Sequence, residues 1–317
     1  MHLQSIPVVD LNDFTTGDES KIQDFVQTIG TALEEIGFFT IVNHGIDPDL
    51  ILHAYAVAEA FFHLPEEIKL RYEKLQLKGQ RGFTRFGQEH AKDAAVPDLK
   101  EFWHLGRELE PQHPLAVKHL PNLRPLEVPA FHPILVKLYT QLDQCATSLL
   151  EACALYLGEP RTYFQDMVKD GDSILRVIHY PPLPLETAPH SLRAAPHEDI
   201  NLITLLCEAT AEGLELLQRD GTWLSVPTLS GQIIVDAGDM LQHITNGLFK
   251  STTHRVVNPN NDRDRRFSMP FFVHPCAETD LTPLPGCVAK TGGQTKFPSI
   301  TAGAYLTQRL QEIGLVN

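Results

Sequence analysis

The sequence has few positive charges and no closely spaced cysteine pairs. Lys and Arg number 26 against 40 Asp and Glu, which gives a formal net charge of −14. Surfaces that bind nucleic acid or anionic membranes need clustered positive charge, so we expect neither partner. Five cysteines without a Cys-x-x-Cys pair argue against a zinc ribbon or a disulfide scaffold. They favour reduced side chains in a cytoplasmic protein.

Long apolar runs are also lacking. No stretch approaches the roughly 20 residues that span a bilayer, and the N-terminal sequence has no secretion signal pattern. With 43% hydrophobic and 21% charged residues over 317 positions, the chain has the composition of an ordinary globular protein with a sizeable core. Composition leaves the oligomeric state open.

Helical patterns dominate the first half of the chain. Apolar residues recur every three or four positions over 21–36 and 135–157, which predicts two amphipathic helices. The run 38–43 is apolar and rich in β-branched residues, as is typical of a buried strand. Asp47-Pro48 then has the features of a helix start.

From about residue 173, short β-rich runs alternate with turn signals at Asp220-Gly221, Gly238-Asp239 and Asn246-Gly247. This spacing predicts a mainly β fold, a sandwich or a barrel, with flanking helices. The expected organisation is one compact unit with four segments: an N-terminal helical and mixed region (1–120), a linker and long helix (121–172), a β core (173–280) and a C-terminal segment (281–317).

Three residues form a candidate metal site. His197 and Asp199 lie two positions apart at the predicted start of a strand, which places their side chains on one face. His254 begins another β-rich run and is the candidate third ligand. Two imidazoles and one carboxylate leave the opposite side of a metal open, as in the facial triad of non-haem iron(II) oxygenases. In a chain with fifteen His, a His-x-Asp pair alone is weak evidence.

A second pair of residues strengthens this interpretation. Arg266 and Ser268 share a face if their segment is a strand. A guanidinium and a hydroxyl on one face can clamp a carboxylate, and Arg does so with two hydrogen bonds. The pair would suit a dicarboxylate whose other end chelates the metal.

Several further motifs follow one another along the chain: IPVVDL (6–11), GFFTIVNHGI (37–46), FFHLPEEIK (61–69), HYPP (179–182), HEDINLITLL (197–206), DGTWLSV (220–226), TNGLFKSTTHRVVN (245–258) and RFSMPFF (266–272). In this order they resemble the iron(II)/2-oxoglutarate-dependent dioxygenases, in the branch similar to isopenicillin N synthase. The resemblance covers nearly the whole chain. The chain departs from many members at Ile178 and Asp236, where they carry Asn.

The resemblance implies a double-stranded β-helix, or jelly roll, as the core. It also implies that His197, Asp199 and His254 hold iron(II). Arg266 and Ser268 would bind the distal carboxylate of 2-oxoglutarate, with Tyr180 as a further contact. Dioxygen would be the second cosubstrate. Oxidative decarboxylation of 2-oxoglutarate would then drive hydroxylation, desaturation or cyclisation of a small organic substrate.

Other interpretations stay open at this stage. Related iron oxidases that do not use 2-oxoglutarate share the Arg-x-Ser pair, and a catalytically silent jelly roll could bind a ligand only. A zinc hydrolase is disfavoured because thiolate ligands are lacking and the Arg-Ser pair is present. Arg81, Phe83 and Phe272 are candidates for the substrate pocket. Ordinary loop or core packing would explain these three residues equally well.

Overall fold

The computed structural model describes residues 5–90, 96–183, 191–259 and 264–312. Its helices begin and end for local reasons. Asp18 accepts hydrogen bonds from the backbone N–H groups of the first helical turn that follows it, and Asp47 caps the next long helix. Gly158 ends the longest helix with φ of +82°, a conformation that glycine adopts without strain.

The described residues contain nine α-helices and two 3-10 turns. The helices are α1 (Leu11–Thr15), α2 (Glu19–Glu35), α3 (Pro48–Phe62), α4 (Glu66–Lys69), α5 (Phe131–Leu157), α6 (Tyr163–Val168), α7 (Asp239–Ile244), α8 (Pro285–Lys290) and α9 (Ala302–Glu312), and the 3-10 turns are Leu70–Tyr72 and Leu75–Leu77. None of these helices combines the length and apolar character needed to cross a bilayer.

Thirteen strands are formed by the same described residues. They are β1 (Val8–Asp10), β2 (Phe38–Val42), β3 (Gly82–Thr84), β4 (Glu101–Gly106), β5 (Ile174–Tyr180), β6 (Ala194–His197), β7 (Ile203–Cys207), β8 (Leu214–Leu217), β9 (Trp223–Ser225), β10 (Ile233–Ala237), β11 (His254–Val256), β12 (Arg266–Ser268) and β13 (Pro270–Val273). The large sheet has the order β1-β2-β10-β7-β13-β5-β4-β3, and β12 also pairs with β5. The small sheet has the order β6-β11-β8-β9.

The two sheets form the predicted mainly β, jelly-roll core with flanking helices. Apart from the parallel β1–β2 pair, the strands pair antiparallel. Side chains of both sheets pack together in a small apolar cluster that includes Ile178 of β5 and Val256 of β11. The helix α5 contacts α2, α3 and the large sheet. Burial of each of its core leucines contributes about 1.5–3 kcal/mol.

One sequence expectation needs correction at the level of elements. Gly238-Asp239 is not a simple turn, because Asp239 begins α7. The N-terminal region joins the β core, since β1–β4 extend the large sheet on both sides. The four-segment division of the chain therefore stays a prediction about sequence organisation.

Candidate active site

The structure brings His197, Asp199 and His254 together. Their potential ligand atoms lie within 4.8 Å of one another. Asp199 Oδ1 is 3.9 Å from His197 Nε2 and 3.8 Å from His254 Nε2. The two histidines are direct cross-strand partners on β6 and β11, with ring centres 4.4 Å apart.

The strand argument for Asp199 was wrong in one respect. β6 ends at His197, and Asp199 lies in the loop that follows. Backbone bonds to the start of α7 hold this loop: the N–H of Asp239 donates to the Asp199 carbonyl at 2.7 Å, and the N–H of Met240 donates to the Asn201 carbonyl at 3.0 Å. A side chain at Gly238 would meet the Asn201 carbonyl oxygen at 2.3 Å, so this close approach requires glycine.

Both imidazoles are oriented for metal binding. Nδ1 of His197 lies 2.7 Å from the Ala195 carbonyl, and Nδ1 of His254 lies 3.1 Å from the Thr252 carbonyl. A carbonyl can only accept, so each Nδ1 carries the proton and each Nε2 keeps its lone pair. Burial, and then the neighbouring His254, lower the pKa of His197 to about 4. The neutral imidazole that a metal requires is therefore the resting form.

The Asp199 carboxylate is held through its second oxygen. The Thr204 hydroxyl donates to Oδ2, and Asn201 Nδ2 donates to the Thr204 oxygen at 2.9 Å. Oδ1 is the oxygen that faces the two histidines. Thr204 thus fixes which carboxylate oxygen is presented to a metal.

We expect Thr204→Val to weaken iron(II) binding by about 10- to 100-fold, because hydrogen-bond partners of metal ligands typically contribute that much. Competitive chelator titration measures the affinity. Thr204→Ser keeps the hydroxyl and should restore most of the affinity. Equal affinities for the Val and wild-type proteins would contradict a positioning role for Thr204.

Asp236 occupies a position where many members of the resembled family carry Asn. It lies on β10 opposite Thr204 and is buried. Burial, and then the nearby Asp199 carboxylate, raise its pKa well above the ordinary value.

A cavity of about 70 Å³, here called the inner cavity, lies between the two sheets. The three clustered residues line it together with Arg266, Ser268 and Tyr180. Arg266 is 1% exposed; its Nε donates to the Ala211 carbonyl at 3.0 Å, and its Nη1 has no partner among the described residues. Its guanidinium lies 5.1 Å from the Tyr180 ring centre. A buried guanidinium with a spare N–H fits a carboxylate ligand.

A larger cavity of about 220 Å³, the outer cavity, adjoins it. Lys100, Arg176, His197, Asp199 and Phe272 line both cavities. The candidate metal site formed by His197, Asp199 and His254 therefore lies at the junction of the two cavities. Phe272 is placed as the sequence interpretation suggested, beside both spaces.

The charges in the outer cavity compensate one another. Glu89 accepts two 3.0 Å hydrogen bonds from Arg176 and lies 2.8 Å from Lys100 Nζ. Lys100 also lies 2.8 Å from Asp98. Sequence reasoning missed this network, although Arg176 inside the apolar run ILRVIHY was a usable signal.

Arg81 and Phe83 are not brought to either cavity. Arg81 is buried in an ion pair with Asp172. Phe83 packs against Phe61 and Phe62 in the apolar core. Phe83 is on β3, at the end of the large sheet, and Arg81 directly precedes this strand. The packing interpretation is therefore the one that the structure favours for both.

Two buried histidines of the outer cavity should make stability depend on pH. Burial lowers the pKa of His104 well below 6.5 and that of His274 to about 4. Between pH 6.5 and 4 the unfolded chain binds protons that the folded chain excludes. The contribution of these two histidines to the free energy of unfolding is therefore fully present above pH 6.5 and is lost as pH decreases. For one histidine the loss approaches about 1.4 kcal/mol for each pH unit below 6.5, until its folded-state pKa is reached.

Melting temperatures between pH 7 and 4.5 test this expectation. His274→Phe should show a shallower loss on acidification than the wild type. His53→Ala, at an exposed position, should keep the wild-type dependence. Identical profiles for all three proteins would contradict the assignment.

Comparison with known protein families places the site in context. Residues 6–127 match the family model described as the N-terminal region of the non-haem dioxygenase in morphine synthesis. Residues 171–275 match the model of the 2OG-Fe(II) oxygenase superfamily. The second match includes His197, Asp199 and His254 and also the Arg266–Ser268 pair.

Similar proteins cover nearly the whole chain. A 2-oxoglutarate-Fe(II) type oxidoreductase of Emericella nidulans is 30% identical, over 94% of this chain and 89% of the relative. A 2OG-Fe(II) oxygenase family protein from Caulobacter crescentus is 39% identical, with a TM-score of 0.86 and coverage of 98% and 100%. A full-length Neurospora crassa protein, solved in complex with alpha-KG and thymine, is 30% identical, with a TM-score of 0.85 and 96% coverage of each chain.

Proposed function

Because the chain belongs to the 2-oxoglutarate–Fe(II) oxygenase superfamily, we propose specific roles for its clustered residues. The enzyme uses iron(II), 2-oxoglutarate and dioxygen to oxidise a small organic substrate. We assign iron(II) to His197, Asp199 and His254. We assign the distal carboxylate of 2-oxoglutarate to Arg266 and Ser268.

One observation carries this assignment. Two Nε2 lone pairs and one carboxylate oxygen converge beside a cavity that contains a buried arginine N–H without a partner in the described part of the chain. The aromatic ring of Tyr180 and the apolar residues between the sheets exclude water from the bound dicarboxylate.

The residues act by holding and orienting. Bound iron(II), with its two cosubstrates, supplies the oxidising power that removes hydrogen from a C–H bond. Thr204 fixes the Asp199 oxygen, and the Ala195 and Thr252 carbonyls fix the two imidazoles. Arg266 sets the direction from which 2-oxoglutarate reaches the iron(II) site.

We place the small organic substrate in the outer cavity, next to His197 and Phe272. The Neurospora crassa neighbour is described in complex with thymine, and a curated relative from Streptomyces hygroscopicus subsp. limoneus is named validamycin A dioxygenase. The acidic composition supports a partner set without nucleic acid or anionic membranes. All five cysteines are unpaired, which supports a reducing, cytoplasmic setting.

Anaerobic titration of the iron(II)-loaded protein with 2-oxoglutarate tests the proposal. We expect a visible charge-transfer band that saturates, and succinate formation after oxygen is admitted. Succinate, which lacks the keto oxygen, is the control and should give no band. Bound iron without a band would move the protein to the oxidases that do not use 2-oxoglutarate. Failure to bind iron would favour a silent ligand-binding jelly roll.

A further inference from the structure

The C-terminal helix α9 forms part of the wall of the outer cavity. Leu306, Arg309 and Leu310 all line the outer cavity, and none of them lines the inner cavity. The helix is anchored to α7, since Tyr305 donates to Asp239 Oδ2 at 3.2 Å. Helix α9 therefore has a fixed position relative to the candidate metal site.

Two of the three guanidinium nitrogens of Arg309 contact carboxylates. Nη1 donates to Glu312 at 2.7 Å, and Nη2 lies 3.3 Å from Asp239 Oδ2. Nε is buried and finds no hydrogen-bond partner in the described part of the chain. The two ion pairs hold the guanidinium in place while one N–H is left for a ligand.

His274, on another part of the wall, also has a buried nitrogen without a hydrogen-bond partner in the described part of the chain. It follows β13, is 8% exposed and lines the outer cavity. Its Nδ1 is buried without a partner among residues 5–90, 96–183, 191–259 and 264–312. Buried polar atoms normally have hydrogen-bond partners, so two such atoms beside one cavity indicate that a ligand supplies them.

We propose that Arg309 and His274 are substrate-binding residues that take a compact, uncharged molecule with a carbonyl group, such as a cyclic amide. This inference rests on the proposed function and identifies the substrate class of the same site. The Arg309 N–H donates to the carbonyl oxygen. The neutral His274 ring pairs with the amide N–H or with a second oxygen, according to its tautomer.

Charge and size define the rest of the substrate class. Lys100 and Arg176 are already paired with Glu89 and Asp98, and Arg309 with Asp239 and Glu312. No described cation of the wall is left to neutralise an anionic substrate. A cavity of about 150 Å³ accommodates benzene, so 220 Å³ admits a single substituted ring.

The test must separate substrate binding from a purely structural role, because Asp239 also supports the loop that carries Asp199. Arg309→Lys keeps a positive charge for Asp239 but removes the Nε donor. Thr307→Ala is the matched control, because it changes an exposed residue of the same helix that lines neither cavity. Melting temperatures of both variants show whether the helix stays docked.

The probe is δ-valerolactam, a small cyclic amide, titrated into anaerobic enzyme loaded with iron(II) and 2-oxoglutarate. We expect it to shift the visible band and to increase succinate formation in air. Arg309→Lys should weaken lactam binding by about 10- to 100-fold, as expected for loss of a hydrogen bond from a charged donor. Its 2-oxoglutarate affinity should stay unchanged. Thr307→Ala should bind lactam as the wild type does, and His274→Phe should bind it less well.

The outcomes distinguish the inference from the proposed function. If the wild type binds 2-oxoglutarate but not the lactam, the inference is overturned while the proposed function stands. The same follows if Arg309→Lys and Thr307→Ala weaken lactam binding equally, since that result indicates that any change in α9 reduces binding. If the wild type does not bind 2-oxoglutarate, the proposed function itself fails.

Discussion

His197→Ala is expected to abolish iron(II) binding and succinate formation while the fold survives. One of three ligands is lost, and activity should fall by more than about 100-fold, since even changes behind the ligands reach 10- to 100-fold. The fold should tolerate the change because the His197 side chain is 30% exposed at the end of β6. Iron content after desalting and succinate release are the two measurements.

Asp199→Ala should behave in the same way, because it removes the oxygen that faces both imidazoles. His53→Ala provides the control: this residue is exposed on α3 and lies outside both cavities. Circular dichroism should show the same helix and strand content in all variants. Full activity in either ligand variant would remove the metal assignment.

The sequence predicted those parts of the site that depend on short-range geometry. Arg266 and Ser268 share a face of β12 because side chains alternate along a strand. Register places Arg266 opposite Tyr180 on β5, and the family resemblance implied Tyr180 only as a further contact for 2-oxoglutarate. For His197 and His254 the decisive event is cross-strand pairing between β6 and β11. The sequence named His254 as the candidate third ligand but did not predict this pairing.

The rest of the site depends on long-range packing that has no local pattern. Arg309 lies on a helix with no recognised motif, and it reaches the outer cavity only because α9 packs onto the start of α7. Phe83 and Phe272 are both aromatic residues in strands, yet one packs in the core and the other lines the cavities. Composition and spacing do not distinguish such cases, since the face that a side chain occupies depends on the neighbouring strands.

Arg266→Met is expected to remove the response to 2-oxoglutarate without loss of iron. The guanidinium offers two charge-assisted hydrogen bonds to a carboxylate, and their loss should weaken 2-oxoglutarate binding by about 100-fold or more. The anaerobic visible band at ordinary cosubstrate concentrations should disappear. The iron content should not change, because Arg266 is on β12 and none of the three proposed ligands is.

Stability gives an independent measurement of the same change. In the absence of 2-oxoglutarate, Arg266→Met should melt at a temperature no lower than the wild type, because it replaces a buried cation whose Nη1 lacks a partner in the described ranges. With 2-oxoglutarate the wild type should gain stability as the ligand concentration rises, and the variant should not. Arg161→Met, at an ion pair with Glu151 away from both cavities, should keep the full gain. An unchanged 2-oxoglutarate requirement in Arg266→Met would show that another group anchors the cosubstrate, because the band and the thermal gain both depend on the same carboxylate contact.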